Sequence, residues 1–267
     1  MKKYTFSKHV KFRKEKDAIL ICDCKNLKDF KVKLDFENFL NRINMGVIEE
    51  TISDSIEMLL FQDFKSTNLL IEIQIRPIMS EEYSLADKFL EKHLYYIYNG
   101  KRPRSYEFLL DKLLESPELF LGLYLDNDLI GVVEGFPRDE YLLLSEIAVD
   151  IRFRNRGFGT LLLKEFERVA QNLGYKKIKL GAQDNAVKVY LKNTYLPSLF
   201  IQIYDIEYDR VINYFNKQNV QISHENRLNN IVAIEFVVDK IDFELLEYFK
   251  KLFNPISIQY LFTKNLC

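Results

Sequence analysis

IAVDIRFRNRGFGTLLLKEFERVA, from Ile147 to Ala170, decides how the rest of the chain is read. Ile147-Ala148-Val149 ends an apolar strand. Asp150 to Arg156 reads as an arginine-rich turn, and beyond Gly157 the residues Leu161, Leu162, Phe166, Val169 and Ala170 share one face of an amphipathic helix. Gly157 and Gly159 stand in the first helical turn, where a missing Cβ lets the backbone come close to a ligand. The amides that open a helix have no intrahelical acceptor, and with the positive end of the helix dipole they form an anion site. The segment is predicted to cradle a diphosphate on the backbone of Arg154, Asn155, Arg156, Gly157, Phe158, Gly159 and Thr160. Arg152, Arg154 and Arg156 alternate, so they cannot all face the phosphates.

The composition sets the frame around this segment. A chain of 267 residues exceeds the roughly 100 to 200 expected of one domain, so two or three modules are expected. Hydrophobic residues at 48% suit a soluble globular protein, and 38 Lys and Arg against 39 Asp and Glu give no net field toward nucleic acid. No apolar run approaches the roughly 18 residues of a membrane span, and the start, MKKYTFSKHVKFRK, lacks the apolar core of a signal peptide. A cytoplasmic protein without membrane attachment is expected. Three cysteines and three histidines make a metal site improbable, so none is expected. Cys22 and Cys24 read as small residues sharing one face of a strand.

Outward toward the N-terminus, strands are expected at Lys8 to Lys14, Ala18 to Cys24 and Phe30 to Leu34, then helices at Asp35 to Asn44 and Glu50 to Phe64. Asp35 is the expected cap of the first helix and Gly46 its stop. Seven Lys or Arg against one Glu in the first sixteen residues suit an acidic partner or a solvated face. Residues 1–67 are taken as a first module. From Asn68, LLIEIQIRPI reads as a strand leading to Pro77, with Ser80 capping a helix over Glu81 to Tyr98 and a second helix over Ser105 to Glu115. Strands follow at Leu119 to Leu125, Leu129 to Phe136 and Tyr141 to Val149, the first two joined at Asp126-Asn127-Asp128. After the motif helix come a strand at Lys176 to Leu180 and a helix over Asp184 to Lys192, closing a unit at 68–197. Residues 198–267 read as a β-α-β-β-α-β extension with strands at Leu199 to Tyr204, Val220 to Ile222, Ile231 to Val238 and Ile256 to Phe262. Its helices are expected at Tyr208 to Lys217 and Phe243 to Leu252. Covering a sheet edge, mediating a homodimer and binding substrate are all open to this extension.

The spacing Arg154-x-x-Gly157-x-Gly159 after Ala148-Val149 resembles the acetyl-coenzyme-A signature of the GNAT acyltransferases, the general N-acetyltransferase superfamily. IRPI followed by Ser80-Glu81-Glu82 looks like the opening of many such domains. VYLKN, at the end of the 184–192 helix, resembles their second signature, although Gln183 replaces the usual Asn and Asn193-Thr194-Tyr195 the common Gly-Phe. This resemblance implies an α+β protein of GNAT-like fold, with a central mixed, mostly antiparallel sheet flanked by helices, and an N-acetyltransferase that uses acetyl-CoA as donor and no metal. It implies that Ile147 and Val149 pair with pantetheine through their backbone, with the Val149 amide polarising the thioester carbonyl. It also places Tyr190 where the departing thiolate is protonated.

Two carboxylates qualify as general base. Glu146 lies between Leu144 and Ile147, where burial is expected to raise its pKa toward a useful value, and Glu134 sits on the preceding strand. The acceptor is expected to be an amine, on a small molecule or a peptide. The N-terminal strand and helix order resembles PqqD-like peptide-recognition domains and is also compatible with a winged helix that binds DNA. The alternative function is a non-catalytic sensor of acyl-CoA whose N-terminal module contacts DNA or a partner. A Rossmann-type nucleotide site is excluded, because no strand-linked GxGxxG with a downstream acid is present.

Overall fold

The computed structural model describes residues 2–94, 104–138, 140–182 and 186–266. The chain divides into two compact units, residues 1–134 with 146–166 and residues 135–145 with 167–267.

In the first unit, β1 (Lys3–Phe6) is followed by β2 (Val10–Lys14), β3 (Ala18–Asp23) and β4 (Lys28–Lys33), the last three forming an antiparallel sheet in the order β2-β3-β4. The expected strand at Lys8 to Lys14 therefore starts at Val10, after a turn closed by the Val10 amide on the Ser7 carbonyl at 3.0 Å. The sequence reading misses β1. Tyr4 and Phe6 are buried there, Tyr4 meeting Phe61 edge-on at 5.5 Å and Phe6 meeting Phe64 at 5.6 Å, and that tertiary contact makes a strand of four residues whose local pattern is short. Cys24 lies beyond the end of β3 and is exposed while Cys22 is half-buried, so the two do not share a strand face.

Helix α1 (Glu37–Asn44), a two-residue strand β5 (Val47–Ile48) and helix α2 (Ser55–Ser66) complete this region. Asp35 does not cap α1, because a 3-10 turn over Leu34–Phe36 intervenes. Asp54 caps α2, accepting the amides of Ile56 and Glu57 at 2.9 Å. Strand β6 (Leu70–Pro77) pairs antiparallel with β1, Thr5 opposite Ile71. Ser80 does not serve as a helix cap. It opens a 3-10 turn over Ser80–Glu82, and Glu82 accepts the Met79 amide at 3.2 Å while taking two bonds of 2.7 Å from Arg76.

Helices α3 (Tyr83–Leu94) and α4 (Tyr106–Glu115) precede β7 (Phe120–Leu125), β8 (Asp128–Arg138) and β9 (Tyr141–Val149). The breaker Asn99 to Pro103 falls outside the described residues. β6, β7 and β8 are antiparallel neighbours, and Asp126 and Asn127 take the positive φ values, 49° and 66°, that a two-residue hairpin requires. Helix α5 (Phe158–Asn172) follows the motif turn; β8, β9 and α5 are each shared by the two units.

The second unit contains β10 (Lys177–Gly181), α6 (Val187–Lys192), β11 (Leu196–Tyr204), α7 (Tyr208–Lys217), β12 (Ile222–Leu228), β13 (Ile231–Val237), α8 (Phe243–Phe253) and β14 (Ser257–Asn265). Its strand order is β12-β13-β11-β14-β10-β9, antiparallel throughout except the β9/β10 pair. The last strand therefore lies between β10 and β11. Leu199, Ile201, Ile203, Val232, Ile234 and Phe236 alternate onto the buried face. Above them Phe215 of α7 stacks on Phe236 at 4.0 Å and meets Phe249 of α8 at 5.1 Å. β12 runs later and longer than expected because Ser223 to Arg227 is a polar edge strand without apolar alternation. The architecture is α+β with a mixed, mostly antiparallel sheet. Among the described residues no helix is long and apolar enough to cross a membrane.

Candidate functional site

The strand end, turn and helix start of the quoted segment form one local structure. The amide of Asp150 donates to the Ile130 carbonyl at 2.9 Å, which ties the end of β9 to the start of β8. The Asp150 side chain then caps a 3-10 turn over Ile151–Phe153 by accepting the Arg152 amide at 2.9 Å. Asn155 and Gly157 both adopt left-handed φ, 62° and 80°, so the backbone coils back on itself before α5 begins at Phe158. The first helical bond of α5 runs from the Leu161 amide to the Gly157 carbonyl at 2.9 Å. The amides of Phe158, Gly159 and Thr160 thus precede the first acceptor that the helix offers. Phe158 is buried and meets Phe153 at 6.4 Å, which anchors the turn to the core.

The two glycines differ in what they are for. At Gly157 an added Cβ would come no closer than 3.7 Å to Met45, so the positive φ, and not crowding, calls for glycine. At Gly159 φ is not positive, and an added Cβ would lie 3.9 Å from the Val149 side chain, an ordinary contact. Neither conformation nor packing requires glycine there.

The three arginines go to three partners, as their alternation predicts. Arg152 binds Asp150, its Nη2 at 2.6 Å, and holds that carboxyl down at about 2. Arg154 turns back to donate from Nε to the Val149 carbonyl at 3.0 Å, and the Arg156 guanidinium lies over the Phe153 ring at 5.6 Å.

On β9, Glu146 and Ala148 share the buried face with Leu142 and Leu144, while Ile147 is half-exposed on the other. Glu134 on β8 is fully buried and accepts from the Tyr83 hydroxyl at 3.4 Å. Both predicted carboxylates are therefore enclosed, and a solvent-facing Glu146 is excluded. The parallel ladder of β9 with β10 comprises Leu142 with Ile178 and Leu143 with Lys179, and β9 continues past it to Val149.

The sequence reading missed His93. It sits on the buried face of α3 with Ala86, Phe89 and Leu90, and its Nε2 lies 4.0 Å from Asp150 Oδ2 with no hydrogen-bond partner among the described residues. Burial pushes its pKa down. Its place on an apolar helical face was the available signal.

Tyr190 belongs to the second unit. It is buried at the end of α6, edge-on to Tyr195 at 5.6 Å and beside Phe262 at 5.6 Å. The helix closes on itself there, the Tyr195 amide donating to the Tyr190 carbonyl at 3.1 Å, and Thr194 takes the left-handed φ of 63° usual for glycine at such an end. The departure at Asn193-Thr194-Tyr195 thus preserves the turn. Gln183 and Asp184 lie outside the described residues.

Residues 77–195, from the end of β6 to just beyond α6, match the sequence model of the acetyltransferase (GNAT) family. No curated protein matches the chain. Among solved structures the chain is similar to a GNAT family acetyltransferase from Elizabethkingia anophelis with acetyl-CoA bound, at 22% identity over 73% of this chain and 98% of that one, TM-score 0.39. It is similar to an acetyltransferase of the GNAT family from Staphylococcus aureus Mu50, at 15% identity over 73% and 99%, TM-score 0.42. A third likeness is to PaiA N-acetyltransferase from Thermoplasma acidophilum in complex with coenzyme A, at 18% identity over 62% and 99%, TM-score 0.37.

Proposed function

We propose that this protein, whose residues 77–195 belong to the GNAT acetyltransferase family, transfers an acetyl group from acetyl-CoA to a primary amine by direct attack within a ternary complex. The observation that carries this reading is the turn from Asn155 to Thr160, where two left-handed residues lead into first amides of α5 that have no acceptor within the helix, beside a glycine that neither φ nor packing requires.

In the proposed reaction the diphosphate of acetyl-CoA rests on the amides of the turn and helix start, with Arg154 and Arg156 adding charge. Pantetheine pairs with the backbone of Ile147 and Val149, and the Val149 amide steadies the negative charge that develops on the carbonyl oxygen. The amine nitrogen attacks the thioester carbon, the C–S bond breaks, and the amide bond forms. Glu146 takes the proton leaving the nitrogen, with Glu134 as the second candidate, and Tyr190 gives a proton to the departing thiolate. No metal enters this scheme. The acceptor is an amine on a small molecule or on a peptide.

Calorimetric titration with acetyl-CoA, followed by thiol release over a panel of small polyamines, amino-acid amines and lysine-bearing peptides, tests the reading. Saturable binding with amine-dependent thiol release supports it. Binding without release from any amine would favour a sensor of acyl-CoA, and the absence of binding would end the proposal.

A further inference from the structure

The C-terminal strand β14 brings a charge into the interior of the second unit. The Lys264 side chain, 21% exposed, donates to Glu167 Oε2 on α5 at 2.7 Å and to the Asn193 carbonyl at 3.0 Å, and its ammonium lies 5.4 Å from the centre of the Tyr195 ring. Glu167 is 12% exposed. An ion pair so enclosed is costly to assemble, and removing one partner strands the other charge.

What the pair holds is the end of the helix that carries Tyr190. Asn193 caps α6, its side-chain amide donating to the Val189 carbonyl at 2.8 Å and its backbone amide to the Tyr190 carbonyl at 3.0 Å. The Tyr195 amide makes the second bond to that same carbonyl. Phe262 and Lys264 point to the same side of β14, so one strand supplies both the ring beside Tyr190 and the cation on its cap. Close by, Glu167 Oε1 and the Tyr195 hydroxyl are both buried, and burial together with the neighbouring Glu167 carboxylate raises the Tyr195 pKa.

We propose that Lys264 is a positioning residue for acetyl transfer: through Asn193 and Glu167 it holds the end of α6, and with it the orientation of the Tyr190 phenol as proton donor. The inference rests on the proposed role of Tyr190 as proton donor. It assigns the C-terminal extension a part in the reaction, since Lys264 and Phe262 both come from its last strand.

The test is a double-mutant cycle read by thiol release. Lys264→Met is expected to lower kcat by about ten- to a hundredfold while the KM for acetyl-CoA stays within about twofold, and Lys264→Arg to recover most of the rate. Because Lys264 acts through Tyr190, the double variant Tyr190→Phe with Lys264→Met should be no slower than Tyr190→Phe alone. Glu167→Gln, which keeps the shape of the side chain, should show the same non-additivity and serves where Lys264→Met fails to fold. A normal kcat in Lys264→Met, or losses that multiply on the Tyr190→Phe background, would overturn this inference alone. A Tyr190→Phe variant with unchanged kcat would instead remove Tyr190 from the reaction, and the inference with it.

Discussion

Gly159→Ala separates a ligand-driven glycine from a fold-driven one, because its effects on stability and on binding should have opposite signs. The backbone at 159 is not in the left-handed region, and the added methyl meets nothing closer than Val149 Cγ2 at 3.9 Å. Within the first turn of α5 alanine should therefore stabilise the unliganded protein by about 0.5–1 kcal/mol. That corresponds to about 1–4 °C in the melting temperature of a chain this size. In the proposed binding mode the same methyl stands where a diphosphate oxygen approaches the amides of α5, and losing one hydrogen bond to a charged group costs about 1.5–3 kcal/mol, or roughly ten- to a hundredfold in affinity. Gly157→Ala supplies the contrast. With φ at 80° it carries a backbone cost of about 1–2 kcal/mol, so its melting temperature should fall along with its affinity. Thermal melts without ligand and calorimetric titration with acetyl-CoA measure the two effects. A Gly159→Ala protein that binds acetyl-CoA as tightly as the parent would refute the placement of the diphosphate, and one that melts lower would refute the account of the space around residue 159.

The remaining expectations concern the acids and the buried histidine. Glu146→Gln should lower kcat by about a hundredfold or more with acetyl-CoA affinity unchanged, whereas an equal or larger loss in Glu134→Gln would transfer the role of base to Glu134; thiol release decides between them. Asp150→Asn should destabilise the fold by about 1 kcal/mol through its turn cap and its pairing with Arg152, a modest figure because Arg152 is 72% exposed and screened. The sign in acid follows from a folded carboxyl at about 2 against 3.8 in the unfolded chain: its contribution is complete above pH 4 and lost as pH falls through 2, so denaturant melts between pH 5 and 2 should fall less steeply in Asp150→Asn. For His93 the sign is set by a folded pKa held below 6.5, so the unfolded chain takes up the proton first. Stability should be complete above pH 6.5 and decline below it, and His93→Gln should flatten that part of the profile.

The motif segment was legible because its signals are local: an apolar strand end, a helix with one apolar face, and glycines at positions where backbone conformation is decided residue by residue. The β-α-β-β-α-β order of the last seventy residues was legible for the same reason, down to α7 at Tyr208–Lys217. What escaped depends on partners distant in sequence. β1 is four residues whose strand state comes from pairing with β6 some seventy positions on and from burying Tyr4 and Phe6 under α2. β12 escaped because an edge strand with both faces in solvent need not alternate. His93 of α3 comes within 4.0 Å of Asp150, just past the end of β9, and no pattern within either element encodes that proximity.

Backbone and side chain carry different halves of this chemistry, and that division explains why donor and acceptor are unequally readable. In the proposed reaction the donor is recognised by amides and by φ angles, so a change of side chain is tolerated wherever the conformation survives. Thr194 is the clearest case, holding at 63° a turn more often given to glycine, with Asn193 and Tyr195 closing bonds on the same Tyr190 carbonyl. A motif defined by residue identity marks this site as a departure, while the geometry is kept. The extension acts in the same way. Its last strand pairs with β10 from Lys177 opposite Asn265 to Gly181 opposite Leu261, and so lies within the sheet of the second unit between strands that precede it in sequence. Read linearly it is an appendage, yet Phe262 and Lys264 reach the helix of Tyr190 from it. Specificity for the acceptor must then be sought among side chains that long-range strand order brings together, where spacing along the sequence carries no signal.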